Sequence, residues 1–314
     1  MRTNYNHQIT ATVIADSINS NGNRITTFEL TMPRFIWAEM LTHRLFSRNA
    51  ASSRAIPVSK TSAAIKSNPA TPSLWGANEA GMQSNSELIG FKLSSAKFIW
   101  KLAATTAANF SLLLSKIGLH KQYANRISEY AQIYKVVLTA TEFDNFFHLR
   151  CHKDAQPEIQ VLANVMHKAM QQSYPNVLKS GEWHLPYIKT LYVGNSWSYY
   201  DTDDQLLTLD EAKRISASCC AQVSYRLLDE SLDKANVIYD RLVNATPIHA
   251  SPFEHQATPM VNPIQNIYEG KVNIEDGITH IDINANAWSG NFKGWIQHRH
   301  LIDGNTCYKY DDNT

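Results

Sequence analysis

Residues 42–57 read THRLFSRNAASSRAIP, and this stretch decides how the rest of the chain is read. It gathers arginines, a histidine, an asparagine and three serines directly behind an apolar run, and no Asp or Glu occurs between residues 40 and 78. The planar forks of Arg44 and Arg54 suit phosphate, and Ser47, Ser52 and Asn49 add neutral donors. The plain alternative is a pair of surface arginines that cap and pair locally, but the acids they would pair with are missing nearby. The pattern points to an anion site at the end of a helix and in the loop after it.

The 314 residues are 44% hydrophobic and 18% charged, with a net charge of +1, which fits a globular chain of one large or two medium domains. A near-neutral balance gives no general pull on nucleic acid or acidic membrane, so any anion binding is local. Cys151, Cys219, Cys220 and Cys307 show neither CxxC nor zinc spacing and read as reduced thiols, with no metal implied. The N-terminal MRTNYNHQITATVIAD has no apolar signal core, and LAATTAANFSLLLS at 102–115 is too short and polar to span a bilayer. The expectation is a cytoplasmic protein.

Outward from the opening stretch, ITATVIADS and ITTFELTM alternate apolar and polar residues around NSNGN, which predicts a strand hairpin. Pro33 is expected to open a helix, RFIWAEMLTHRLF. Residues 57–85, polar and carrying Pro and Gly, read as a long ordered loop or lid. A long amphipathic helix is expected from Ser86 to about Gly118 and a second from Lys121 to Tyr130. IYKVVLTAT then reads as a buried strand, and EFDNFFHLRCH and PEIQVLANVMHKAMQQ as consecutive helices. Polar turns around 195–207 suggest a boundary between a signature-bearing part, 1–195, and a second part, 205–314, packed into the same domain. The second part offers two helices, LDEAKRISASCCAQVSY and DKANVIYDRLVN, then a strand and turn after SPFEHQAT, and a last short helix near FKGWIQHRHL. AEMLTHRLF and KGWIQHRHL share a His-Arg pair behind an apolar turn, a weak internal echo.

THRLFSRNAASSR resembles the RHRxxSxNxxSxR signature of flavin-dependent thymidylate synthases: His43, Arg44, Ser47, Asn49, Ser52 and Arg54 match, and Thr42 replaces the first arginine. HLRCHKDAQPEIQ, at 148–160, resembles the family's NLRxxxHAQWEIR helix at Arg150, Ala155, Gln156, Glu158 and Ile159. CAQVSY and SPFEH resemble the family's AARVSY and SPFEH blocks. In the family those two blocks precede the arginine signature, whereas here they follow it. A circular permutation accounts for this order, with GWIQHRHL as the vestige of a second signature copy.

The resemblance implies an α/β (α+β) fold with a central, mostly antiparallel sheet and long helices, assembled as a homo-oligomer, a tetramer in the family. It implies FAD as bound cofactor, NADPH as reductant and methylenetetrahydrofolate as carbon donor, converting dUMP to dTMP without an attacking cysteine. His43 and Arg44 would contact the flavin, with Asn49 and Asp154 on the cofactor side. Ser52 and Arg54 would hold the nucleotide phosphate, with Ser47, Ser53 and Gln156 on the substrate side. Arg150 and Ser224 would touch the adenosine and phosphate part of FAD, and His255 would lie near flavin and nucleotide. The plain alternatives are a buried hydrogen-bonded histidine for His255 and an intrahelical pair with Asp154 for Arg150.

The departures concern the base. Gln160 stands where the family has the arginine that contacts the pyrimidine, Glu39 where it has a glutamine, and Asp154 where it has a histidine. Gln297, His298 and Arg299 compensate for Thr42 if the terminal helix packs at the site. A carboxylate can accept from an exocyclic amine, as it does from cytosine N4, so dCMP is an alternative substrate, with a 5-methyl or 5-hydroxymethyl product. A non-catalytic nucleotide-binding relic is the third reading.

Overall fold

The computed structural model describes residues 8–84, 86–224, 228–261 and 275–310. Its first element is the expected hairpin, β1 (Thr10–Asn19) against β2 (Arg24–Pro33), antiparallel with one bulge between Val13 and Ala15. Asn19 organises the turn, since its side-chain carbonyl accepts from the backbone N–H of Asn21 at 3.0 Å and of Asn23 at 2.9 Å. A 3-10 turn, Arg34–Ile36, leads into the short helix α1 (Trp37–Leu41), and strand β3 (Ser47–Ala50) follows. Helices α2 (Val58–Ser67), α3 (Gly90–Lys116) and α4 (Lys121–Ala124) come next, then β4 (Ile133–Ala140), α5 (Asp144–Arg150), α6 (Pro157–Gln172) and β5 (Asn176–Leu178). The central sheet has the order β3-β4-β2-β1-β5; only the β1–β5 pair is parallel.

The two faces of this sheet have different chemistry, because side chains alternate along each strand. Phe28, Leu30 and Met32 of β2, with Val136 and Leu138 of β4, share the fully buried main core with Ile159, Leu162, Ala163 and Met166 of α6. That helix starts on Pro157, whose missing N–H costs nothing there, and its buried residues recur at helical spacing. On the opposite face Ser47, Thr139 and Thr27 stand side by side in register across β3, β4 and β2, all buried.

The second part covers that polar face. A meander of β6 (Lys189–Val193), β7 (Ser196–Tyr200) and β8 (Leu206–Leu207) leads into the paired helices α7 (Leu209–Ala221) and α8 (Leu232–Val243). Thr208 and Glu211 close a reciprocal capping box at the start of α7. Strand β9 (Ala257–Pro259) follows a 3-10 turn, Ser251–Glu254, and a small sheet of β10 (His280–Ile281), β11 (Ala287–Ser289) and β12 (Phe292–Lys293) precedes β13 (Trp295–Gln297), which pairs with β9. Trp295, fully buried, sits with Ile25, Leu178, Ala257 and Phe292. Its indole N–H donates to the Asn23 carbonyl at 3.1 Å, fastening the tail to the hairpin turn.

Four expectations need correction. The helix after Pro33 ends at Leu41, because Ser47–Ala50 pairs with β4 and draws the chain into the sheet. Residues 57–85 are not all loop: Val58–Ser67 is helical and buries Val58, Thr61, Ser62 and Ile65, with the Ser62 hydroxyl donating to the Ala108 carbonyl of α3 at 3.0 Å. The polar turns at 195–207 are a β-meander whose tight turn uses Gly194 (φ 58°) and Asn195 (φ 68°). GWIQHRHL is no helix; it is β13 followed by a 3-10 turn, His298–Leu301, bent at Gly294 (φ 72°), where a Cβ would meet the Asn23 side chain. Among the described residues no helix is long and apolar enough to cross a membrane.

Candidate active site

The donor-rich stretch meets the 148–160 block directly. His43 lies just past α1, half-buried, with Phe146 edge-on at 4.9 Å and Phe46 stacked at 5.8 Å. Arg150, at the end of α5, donates from Nε to His43 Nε2 at 2.9 Å and from Nη2 to the Thr42 hydroxyl at 3.3 Å. His43 therefore keeps its lone pair on Nε2 and its proton on Nδ1. Burial, then the charges of Arg150 and Arg48, lower its pKa to about 4, so the ring is neutral at pH 7. Arg150 makes no ion pair with Asp154, whose exposed carboxylate sits 3.6 Å from His152 Nδ1.

Glu39 completes this cluster from α1. Burial raises its pKa against the pull of Arg150, and Glu158 raises it further. Its Oε2 is buried without a hydrogen-bond partner among the described residues, as is Oε1 of Gln156. The Gln156 amide donates to Glu158 at 2.8 Å. Gln160 faces elsewhere: its amide donates to the His152 carbonyl at 2.7 Å and lies 3.5 Å from that of Cys151.

The other face of α1 opens on a cleft of about 570 Å³. Trp37, Ala38 and Leu41 line one wall, Ser52 and Ser53 the loop after β3, and Arg34, Arg126, Glu129 and Tyr134 the floor. Helical geometry explains the split, since Glu39 lies two residues, about 200°, from Trp37. Glu129 draws the floor together, pairing with Arg34 at 2.7 Å and Arg126 at 3.1 Å and accepting from the Ser53 hydroxyl at 2.9 Å. The Ser52 hydroxyl accepts from the Arg54 backbone N–H at 3.2 Å. The side chains of Arg44 and Arg54 are exposed and enter no ion pair among the described residues.

The second part reaches the signature at β3. Gln297 donates to the Ser47 hydroxyl at 3.2 Å and to the Glu254 carbonyl at 3.2 Å, and Asn49 donates to the Cys220 carbonyl at 3.2 Å. Arg299 pairs with Glu254, and Glu254 also acts electrostatically on Arg48. His298 is buried edge-on between Trp183 at 5.4 Å and Phe253 at 5.5 Å. Burial, assisted by Lys213, lowers its pKa to about 3, against Asp210. His255 is fully buried; its Nδ1 meets the Thr139 hydroxyl at 2.8 Å, and its Nε2 has no partner among the described residues. His298 Nδ1 and Arg299 Nε share that condition.

The expected residues thus fall into three adjoining groups: Glu39, His43, Arg150 and Gln156; Ser52 and Ser53 at the cleft; and Ser47, His255, His298 and Arg299 under β3. Ser224 ends a 3-10 turn, Gln222–Ser224, and its side chain lies outside the described residues, as does Tyr225 of CAQVSY. Burial raises the thiol pKa of Cys219, Cys220 and Cys151, which leaves these three without thiolate character at neutral pH. Sequence reasoning missed Arg34 and Glu129 as neighbours of the site. They carried no signal, because they meet only through the pairing of the strands beside them; Gln297, expected beside the echoed His-Arg pair, does reach Ser47.

No curated protein matches the chain. The family model described as thymidylate synthase complementing protein matches residues 24–176, which run from the start of β2 to the first residue of β5 and include the signature and the 148–160 block. Cys220 of CAQVSY and the Ser251–Glu254 turn of SPFEH lie beyond the match but pack against its strand β3. Over residues 24–176, just under half of its length, the chain is thus similar to the thymidylate synthase complementing protein family.

Proposed function

We propose that the chain methylates dUMP to dTMP, with methylenetetrahydrofolate as carbon donor, FAD as bound redox group and NADPH as reductant. The observation that carries this reading is convergence. Arg150 bonds His43 across 107 residues, and Gln297 bonds Ser47 across 250, so blocks spread over the chain meet at β3. A packed core alone does not call for polar side chains to meet in this way.

The residues present fit a flavin dinucleotide. Exposed Arg44 suits its phosphates, and His255 Nε2, His298 Nδ1 and Arg299 Nε are buried polar atoms that a ligand would satisfy. When bound, the isoalloxazine supplies the hydride chemistry, and the chain binds, orients and excludes water. Neutral His43, held by Arg150, presents its Nδ1–H as a fixed donor. Arg54 and Ser52 hold the nucleotide phosphate, and the aromatic cleft beside them gives the base a dry wall. The raised thiol pKa values of Cys151, Cys219 and Cys220 fit a route without a cysteine nucleophile.

The dUMP reading is proposed first because the match over residues 24–176 names the thymidylate synthase complementing protein family. The dCMP reading needs Gln160 and Glu39 at the base, and the Gln160 amide is engaged by a backbone carbonyl. Purified protein should retain a flavin absorbance band or regain one on incubation with FAD; a chain that stays colourless would be the nucleotide-binding relic instead. Arg54→Ala should lower kcat/KM for the nucleotide about 100-fold, or about 2.7 kcal/mol, with an unchanged melting transition, because a charge-assisted phosphate contact is lost from an exposed side chain. Unchanged steady-state kinetics would place the phosphate elsewhere.

Assembly as a homo-oligomer is part of this proposal. The inner stripe of α3 (Ala104, Ala108, Ser111) is buried, whereas Phe98, Ile99, Leu102, Phe110, Leu113 and Ile117 are each more than half exposed. Together they present roughly 650 Å² of apolar surface, and two copies would bury about 1,300 Å², within the range of stable interfaces. A second copy is the occupant proposed. Phe98→Glu with Leu102→Glu should reduce the mass in sedimentation to that of one 35.5 kDa chain. An unchanged oligomer would remove α3 from the interface.

A further inference from the structure

A row of hydrogen bonds runs beneath the signature strand and ends at His255. Ser17 Oγ lies 2.9 Å from His184 Nδ1, and His184 Nε2 lies 2.8 Å from the Thr27 hydroxyl. Thr27 and Thr139, cross-strand partners, are 2.7 Å apart, and Thr139 is 2.8 Å from His255 Nδ1. All five residues are at most 3% exposed. Both rings are neutral at pH 7: burial lowers each pKa to about 3, against the charge of Asp16 for His184 and with the help of His184 for His255.

A neutral imidazole has one donor and one acceptor nitrogen, and a hydroxyl has one hydrogen. Each Thr hydroxyl in the row touches two members; accepting from both would leave its own hydrogen buried without an acceptor among the described residues. Two arrangements use both Thr hydrogens within the row, one running from Ser17 to His255 and one running back. In the first, Ser17 donates to His184, His184 to Thr27, Thr27 to Thr139 and Thr139 to His255 Nδ1, which leaves the proton of His255 on Nε2. In the second, Ser17 only accepts, its hydrogen is buried without an acceptor among the described residues, and His255 Nε2 is a bare lone pair. A buried donor left unmatched costs more than an unused hydroxyl lone pair. The first arrangement leaves one unmatched donor, at His255; the second leaves an unmatched donor at Ser17 and an unmatched nitrogen at His255.

We propose that Ser17, His184, Thr27 and Thr139 are positioning residues that hold His255 in its Nε2–H form, so that it offers a hydrogen bond to an acceptor atom of the bound ligand. The acceptor is a carbonyl oxygen or an unprotonated ring nitrogen, groups that a pyrimidine and an isoalloxazine both carry. This rests on the reading of His255 as a ligand contact; the setting of its tautomer does not. No proton is gained or lost by the chain, only assigned.

The test is a long-range proton–nitrogen correlation on the full chain labelled at histidine, with His255 assigned from the signal lost in His255→Gln. The ligand-free chain should show His255 protonated mainly at Nε2. Ser17→Ala, after which either direction leaves one unmatched N–H and one bare imidazole nitrogen, should bring that ratio close to even, and Ser17→Thr should preserve it. In a Thr27→Val background, which cuts the row, Ser17→Ala should change nothing at His255. A His255 protonated at Nδ1 in the unaltered chain, or a tautomer that Ser17→Ala leaves in place while the melting transition is retained, would overturn the relay. Adding FAD or dUMP should then move the His255 Nε2 signal. No movement with either ligand would overturn the donor role and the ligand reading of His255 while leaving the relay intact.

Discussion

Between pH 7 and pH 5 the chain should lose about 6 kcal/mol of folding stability, enough to unfold a domain of ordinary stability. The cause is three buried rings, His184, His255 and His298, each with its pKa lowered from 6.5 to about 3. In the unfolded chain these rings take up protons below about pH 6.5; in the fold they stay neutral until about pH 3. The unfolded state therefore binds more protons throughout that window, so stability is fully present above pH 6.5 and falls as the pH falls. At pH 5 each ring contributes about 2 kcal/mol to the loss. His43, half-buried and lowered to about 4, adds a smaller effect of the same sign. The raised carboxyl of Glu39 acts in the opposite sense but is also only half-buried, so it does not offset three enclosed imidazoles. Urea unfolding at half-unit pH steps checks this, and a midpoint that stays flat from pH 7 to pH 5 would contradict it.

Trp295→Ala should cost about 3–5 kcal/mol and loosen the second part from the sheet, the loss typical of removing a large buried aromatic. Trp295 is fully buried among Ile25, Leu178, Ala257 and Phe292 and bonds the hairpin turn at Asn23. It belongs to β13, whose last residue, Gln297, bonds Ser47 of the signature strand. Loss of Trp295 therefore reaches the site through β13. The expected signature is a lower urea midpoint together with weaker flavin retention. An Ala variant with the parent midpoint would mean that the tail is held by other contacts.

The sequence signals that succeeded were local ones. Alternation around an Asn-Gly turn was enough for β1 and β2, a continuous apolar run for β4, and a proline start with helical spacing for α6. The failures came where a distant partner overrides local preference. LTHRLF has the spacing of a helix, but Ser47 pairs with Thr139 and the chain turns into the sheet. WIQ can form a helical turn, but β9 supplies a strand partner at Ala257–Pro259. The helix at 58–67 and the Gly194-Asn195 turn were legible and obscured only by polar composition.

The site was partly legible in the same sense. The signature spacing singled out His43, Ser52 and Arg54, and the 148–160 block singled out Arg150, but nothing in the sequence says that Arg150 bonds His43 instead of Asp154. Gln160 stands out in the sequence because of what it replaces; in the fold its amide bonds the His152 carbonyl between α5 and α6. His184 belongs to no motif and became visible only when strand register brought Thr27 and Thr139 beside it.

The most direct measurement is product identification by mass spectrometry, with the FAD-loaded chain supplied with methylenetetrahydrofolate, NADPH and an equal mixture of dUMP and dCMP. A dUMP methylase yields dTMP and leaves dCMP intact, and that is the expected result. A modified dCMP, or no product from a chain that holds flavin, would contradict it.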